Sequence, residues 1–164
     1  MALFGLFGGS KDDVPRNDQL DHWLEDTLKR ELKVDEVVRD EDGDIPVRCG
    51  SAMVYVSVMG VGTGLPLIRV FAPLLEDFTV KPEVYEAVNS INRQIPFAKA
   101  IVDPEIGQIL LAADLFVFDQ MSSEQLMATI ELVGENADHF DTMLQKRFGG
   151  ATMFEDDDAG AFNV

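Results

Sequence analysis

The chain has 164 residues, with 13 Lys and Arg against 30 Asp and Glu, a formal net charge of −17. A surface this acidic repels phosphate, which excludes sequence-independent binding to nucleic acid and disfavours an anionic membrane. The length suits one domain, a hydrophobic content of 46% is too high for a chain disordered throughout, and the single cysteine, Cys49, leaves no intrachain disulfide and fits a reducing compartment.

The charge is uneven: −6 over residues 1–50, 0 over 51–100 and −11 over 101–164. A neutral middle between acidic ends fits a buried sheet flanked by solvated helices and tails. The opening Met1-Ala2-Leu3-Phe4-Gly5-Leu6-Phe7-Gly8-Gly9-Ser10 has no basic n-region, is too short to span a bilayer, and carries Ala2 where myristoylation needs Gly. The expectation is a flexible N-terminal segment over 1–16, with a small hydrophobic hook for a partner or a membrane interface as the alternative. It predicts a cytoplasmic protein without stable membrane insertion.

Asn17 or Asp18 caps a first helix, on which Leu20, Trp23, Leu24, Leu28 and Leu32 form an apolar stripe. Val34–Val38 is short and β-branched and stands as a further strand candidate. Asp42-Gly43 predicts a hairpin turn, because both central positions accept positive φ. Ile45–Cys49 follows as a strand. Ser51–Met59 alternates, with Val54, Val56 and Val58 on one face and Met53, Tyr55 and Met59 on the other. Leu67–Ala72 makes the next strand, placing Ile68 and Val70 opposite Leu67, Arg69 and Phe71. Pro73 is expected to end it, since proline donates no ladder bond.

Pro82 opens a second helix carrying Val84, Tyr85, Val88, Ile91 and Ile95, and Pro96 stops it. Phe97–Val102 and Gln108–Phe118 read as two strands joined by a turn at 103–107. Ser122 with Gln125 forms a capping box for a last helix, whose stripe runs Leu126, Ile130, Val133, Ala137, Phe140, Leu144 and Phe148. Gly149-Gly150 ends that helix. The remainder, 151–164, contains Glu155-Asp156-Asp157-Asp158 and is expected to be a disordered acidic tail. The fold class is therefore α+β, an antiparallel sheet with flanking helices in the order α-β-β-β-α-β-β-α over residues 17–150.

No catalytic constellation emerges. His22 and His139 lie on different helices without a ligand partner at zinc spacing, so neither metal nor cofactor is expected. Cys49 has no nearby His and reads as a buried inert thiol. Asp40–Ile45 resembles the middle of a calcium loop, but Val38 and Cys49 stand where such a loop needs acids. Gly60-x-Gly62-x-Gly64 precedes a strand and lacks the dinucleotide fingerprint's third spacing. Asp114 interrupts the apolar run 109–118. A strand end or bulge that lets its carboxylate reach water or backbone N–H groups is the expected solution, with an enzyme using Asp114 or Cys49 as a minor alternative.

The second face of the sheet is more informative. Met53, Tyr55, Met59, Leu67 and Phe71 are apolar where a one-sided sheet exposes polar residues, with Ser57 and Arg69 between them. Either another part of the chain covers them, or they form a partner-binding surface for a peptide segment or a second subunit.

Several segments carry a resemblance. Leu67-Ile68-Arg69-Val70-Phe71-Ala72-Pro73-Leu74-Leu75 is one. Val88-Asn89-Ser90-Ile91-Asn92 followed by Pro96-Phe97 is another, and Ala137-Asp138 through Arg147-Phe148-Gly149-Gly150 is a third. With the element order, these resemble the YbjN-type family, related in fold to type III secretion chaperones. The resemblance covers about residues 17–150. It implies a non-enzymatic, chaperone-like or adaptor protein that binds a peptide or protein client, often as a dimer. The alternative is a regulatory or sensory protein acting through self-association or a folded partner. Asn89 and Asn92, on one helical face, are expected to cap the loop into the next strand, with peptide contact as the other reading.

Overall fold

A computed structural model describes residues 17–60, 65–118, 121–152 and 162–163. The elements are α1 (Asp18–Leu32), β1 (Ile45–Cys49), β2 (Ala52–Gly60), β3 (Pro66–Leu75), α2 (Pro82–Gln94), β4 (Lys99–Asp103), β5 (Gln108–Phe116), α3 (Ser123–Phe148) and β6 (Phe162–Asn163). The sheet order is β4-β5-β3-β2-β1-β6. The first five strands pair antiparallel, and β6 joins β1 in parallel. The α-β-β-β-α-β-β-α order holds, with β6 as an addition at the edge.

Local chemistry starts each helix as expected. Asn17 Oδ1 accepts the Leu20 N–H, Pro82 opens α2, and Ser122 Oγ accepts the Gln125 N–H. The helices cover one sheet face. Leu24 and Leu28 of α1, Val84 and Ile91 of α2, and Leu126, Ile130, Val133 and Leu144 of α3 are fully buried there. They share a core with Val54, Val56, Ile68, Val70, Ile109 and Leu111 from the sheet. Tyr85 departs from its predicted stripe and is half exposed.

Three expectations are corrected. Val34–Val38 forms no strand, so Asp42-Gly43 does not join a hairpin. The turn instead feeds β1: Asp40 Oδ1 accepts the N–H groups of Asp42 and Asp44, Gly43 N–H donates to the Asp40 carbonyl, and Gly43 adopts φ 79°. Pro73 does not end β3, which runs on to Leu75. The β2–β3 ladder stops at Tyr55–Phe71, so the missing Pro73 N–H leaves no β2 carbonyl waiting, and a bulge between Pro73 and Leu75 restores the β5 register. The expected flexible segment 1–16 lies outside the described residues. Of the expected acidic tail 151–164, residues 153–161 and 164 likewise lie outside the described residues, while Ala151 pairs with Glu76 and Phe162–Asn163 with β1.

Candidate functional site

The five residues singled out in the sequence do share the face away from the helices. A side-chain period of two puts alternate residues of each strand there. The registers then align them in three rows across β2, β3 and β5: Tyr55–Phe71–Ala112, Ser57–Arg69–Asp114, and Met59–Leu67–Phe116. Met53 lies two residues before Tyr55, opposite Arg48 of β1. Tyr55 stacks on Phe71 with ring centroids 5.3 Å apart and planes 15° from parallel. Phe71, Leu110 and Ala112, with Tyr55 against them, form a second apolar cluster that contains no helix residue.

Accessibility divides the set. Leu67 and Phe71 are buried at 2% and 4%, Met53, Tyr55 and Met59 are half-buried, and Phe116 is 49% exposed. The reachable part of the face is therefore the β2 row and the β5 end, not the middle of β3.

The middle row holds the main correction. Asp114 sits at neither a strand end nor a bulge. It lies directly across from Arg69, whose Nε donates to Oδ1 at 2.6 Å and whose second terminal nitrogen donates to Oδ2 at 2.8 Å. This two-pronged pair satisfies the carboxylate inside an apolar sheet. The sequence signal was present as two interruptions, Arg69 and Asp114, of opposite charge in neighbouring apolar strands.

Cys49 is buried, and its thiol is pushed up to about 11 by burial and by the nearby Glu131 carboxylate. Its Sγ lies 3.8 Å from the Ile130 carbonyl, which it meets as a weak donor. Such a thiol carries almost no thiolate near neutrality and is a poor nucleophile. His22 Nδ1 bonds the Asp18 carbonyl, and His139 packs edge-on against Phe140. Among the described residues, no three His, Cys, Asp or Glu side chains converge on a metal-sized site, and no helix is long and apolar enough to cross a membrane. Asn92 makes the expected junction: its side chain donates to the Ala100 carbonyl at 3.0 Å and accepts the Ala100 N–H at 2.6 Å. Asn89 is exposed.

Sequence reasoning missed one feature. A groove of about 450 Å³ opens between the start of α1 and the β3–β5 end, lined by Leu20, Trp23, Pro66, Val117, Phe118 and Met121. Phe118 is 77% exposed there. Its ring stacks on that of Phe116, centroids 6.4 Å apart, which links the groove to the end of the second face. Only the chain's path brings residues near 20, 66 and 118 together, so no local pattern announces the groove.

Residues 18–156 match the family model described as T3SS (YopN, CesT) and YbjN peptide-binding chaperone 1. Three solved structures share the fold. The ExsC–ExsE complex matches at a TM-score of 0.57 and 16% identity, over 77% of this chain and 94% of that one. YbjN from E. coli matches at 0.52 and 14%, over 82% and 94%. The Yersinia pestis type III secretion chaperone SycH, in complex with a stable fragment of YscM2, matches at 0.50 and 18%, over 72% and 97%. At these identities the likeness is one of fold. Comparison with curated proteins gives no match.

Proposed function

The chain belongs to the family of T3SS and YbjN peptide-binding chaperones, and on that footing we propose that it holds an extended segment of a protein client against the second face of its sheet. The observation that carries this reading is the separate apolar cluster on that face, to which no helix contributes. Met53, Tyr55 and Met59 present adaptable thioether and aromatic surface to an arriving side chain, while the buried Leu67 and Phe71 flank Met59 and Tyr55 from the neighbouring strand. The Arg69–Asp114 pair gives the middle of the face a fixed polar stripe against which a client's backbone can register. The net charge of −17 favours clients of basic character and keeps the complex in solution. SycH, whose fold this chain shares, is itself held with a fragment of another protein. The buried single thiol suits work in a reducing cytoplasm.

The test places the photo-crosslinker benzoylphenylalanine at position 55 or 59 in the native host, with the same probe at the exposed Glu83 of α2 as control. The expected result is adducts at 55 and 59 that map to extended segments of the captured proteins. Equal crosslinking from all three positions, or adducts with the surface of one folded partner, would overturn this site and favour the regulatory reading. Light scattering on the purified chain reports whether it acts as a homodimer.

A further inference from the structure

Resting on the client site proposed above, we infer that the segment held there runs along the strands and presents apolar, basic and apolar side chains at alternate positions. Side chains on one side of an extended chain recur every two residues, about 6.6–6.8 Å apart. The rows of the second face recur at the same interval, because each row lies two residues further along β2, β3 and β5. A segment lying across the strands would instead meet side chains at the strand spacing, about 4.7–4.9 Å. Extended layers packed face to face also keep their directions within about 30° of each other. Lengthwise, three successive same-side residues of the client therefore meet the three rows in turn.

The groups that an arriving chain reaches set its chemistry. Leu67, Arg69 and Phe71 of β3 are buried, and the more accessible side chains stand on the strands to either side. In the first row, Tyr55 is half-buried and stacked on Phe71, with the small Ala112 beyond, a setting for an apolar side chain. In the third row, Met59 and the half-exposed Phe116 flank Leu67 and receive a second apolar side chain, about 13 Å from the first. In the middle row, Ser57 and Arg69 are buried, whereas the Asp114 side chain keeps 25% of its exposure. An incoming group meets the carboxylate before the guanidinium. Each Asp114 oxygen accepts one bond from Arg69. A carboxylate has about four acceptor positions, so it can also take an N–H from a client Lys or Arg. The backbone of the client is thus registered on the polar stripe through one basic side chain. The net charge of −17 draws such side chains, and an acid at this place would set two carboxylates together and be rejected.

The test uses three fluorescein-labelled, Ser-rich peptides. One carries Leu, Lys and Leu at alternate positions, the second has Glu in place of Lys, and the third carries Leu, Lys and Leu consecutively. Fluorescence anisotropy is expected to show the first binding about tenfold or more tightly than either of the others. Asp114→Asn, checked for folding by circular dichroism, is expected to bring the preference for Lys over Glu down to about threefold or less. Equal affinity for all three peptides, or an undiminished preference in folded Asp114→Asn, would overturn the inference. If benzoylphenylalanine at position 55 still crosslinks those peptides, the client site itself stands. Absence of both binding and crosslinks for all three peptides overturns the inference and the client site together. Should Asp114→Asn not fold, the comparison of the three peptides on the unaltered chain decides the matter.

Discussion

Gly134 sets how closely α3 lies on the sheet. A Cβ at this position would sit 2.3 Å from Cys49 Cβ, 3.0 Å from Cys49 Sγ and 3.4 Å from Val54 Cγ2. Carbon atoms in good contact are ~3.5–4.0 Å apart, so Gly134→Ala must push the middle of α3 more than ~1 Å away from β1. Helix propensity opposes this result, since alanine is worth ~1 kcal/mol over glycine inside a helix. Overpacking costs ~1–3 kcal/mol and more when a backbone must move, and α3 carries Leu126, Ile130, Val133, Ala137, Phe140 and Leu144 into the same core. The expected net loss is about 2 kcal/mol by that balance. For a domain of this size it corresponds to a fall of about 4–8 °C in Tm. Urea unfolding followed by circular dichroism measures it. Cys49→Gly removes the opposing Cβ and Sγ, so the double variant is expected to be more stable than the sum of the single losses by at least ~1 kcal/mol. A neutral or stabilised Gly134→Ala, or strict additivity with Cys49→Gly, would refute the packing argument.

Two further predictions concern charge. Asp114→Ala removes the two-pronged carboxylate partner of an Arg69 guanidinium only 8% exposed and is expected to cost about 2 kcal/mol, below the range for fully buried pairs because the Asp114 side chain keeps 25% of its exposure. Joint replacement by Arg69→Met and Asp114→Leu should recover most of that loss, and a urea titration of all three variants decides it. Asp141 lies on the buried face of α3, where burial raises its carboxyl above the ordinary value against the opposing hydrogen bond from Thr142 N–H. A raised folded pKa means the folded state holds the proton more tightly, so stability is lost as pH rises from below the ordinary value through the raised one. Asp141→Asn is therefore expected to raise Tm at pH 7 and to lose that advantage near pH 3.5; a gain that persists unchanged at low pH would contradict the burial argument.

Features set by near neighbours in the chain were legible. Asn17 and Ser122 start helices through bonds within the first turn, Pro82 starts one through its fixed φ at the first helical position, and the alternation of 51–59 sorted its side chains between faces before any partner strand was known. Features set across the chain were not. Arg69 and Asp114 are 45 residues apart, and only strand order makes them neighbours. Pro73 looked like a terminus because its tolerance depends on where β2 stops, which lies in another strand. The five face residues were correctly grouped by period, but their division into buried Leu67 and Phe71 and half-buried Met53, Tyr55 and Met59 depends on packing that period cannot express. The α1–β5 groove and β6 were invisible for the same reason.

The two sides of the sheet end differently, and Asn92 accounts for the contrast. In an antiparallel ladder the N–H and C=O of one residue point the same way, and the Asn92 amide takes both groups of Ala100. A single side chain from α2 thus imitates the neighbouring strand that β4 lacks. Growth of a sheet from molecule to molecule needs two compatible borders, one to give and one to receive. Here one border is plugged by an amide, and the β1 side of the other already carries Phe162 and Asn163 of the same chain. Strand addition to this protein should therefore stop after one event, giving a discrete pair of chains and never a fibre.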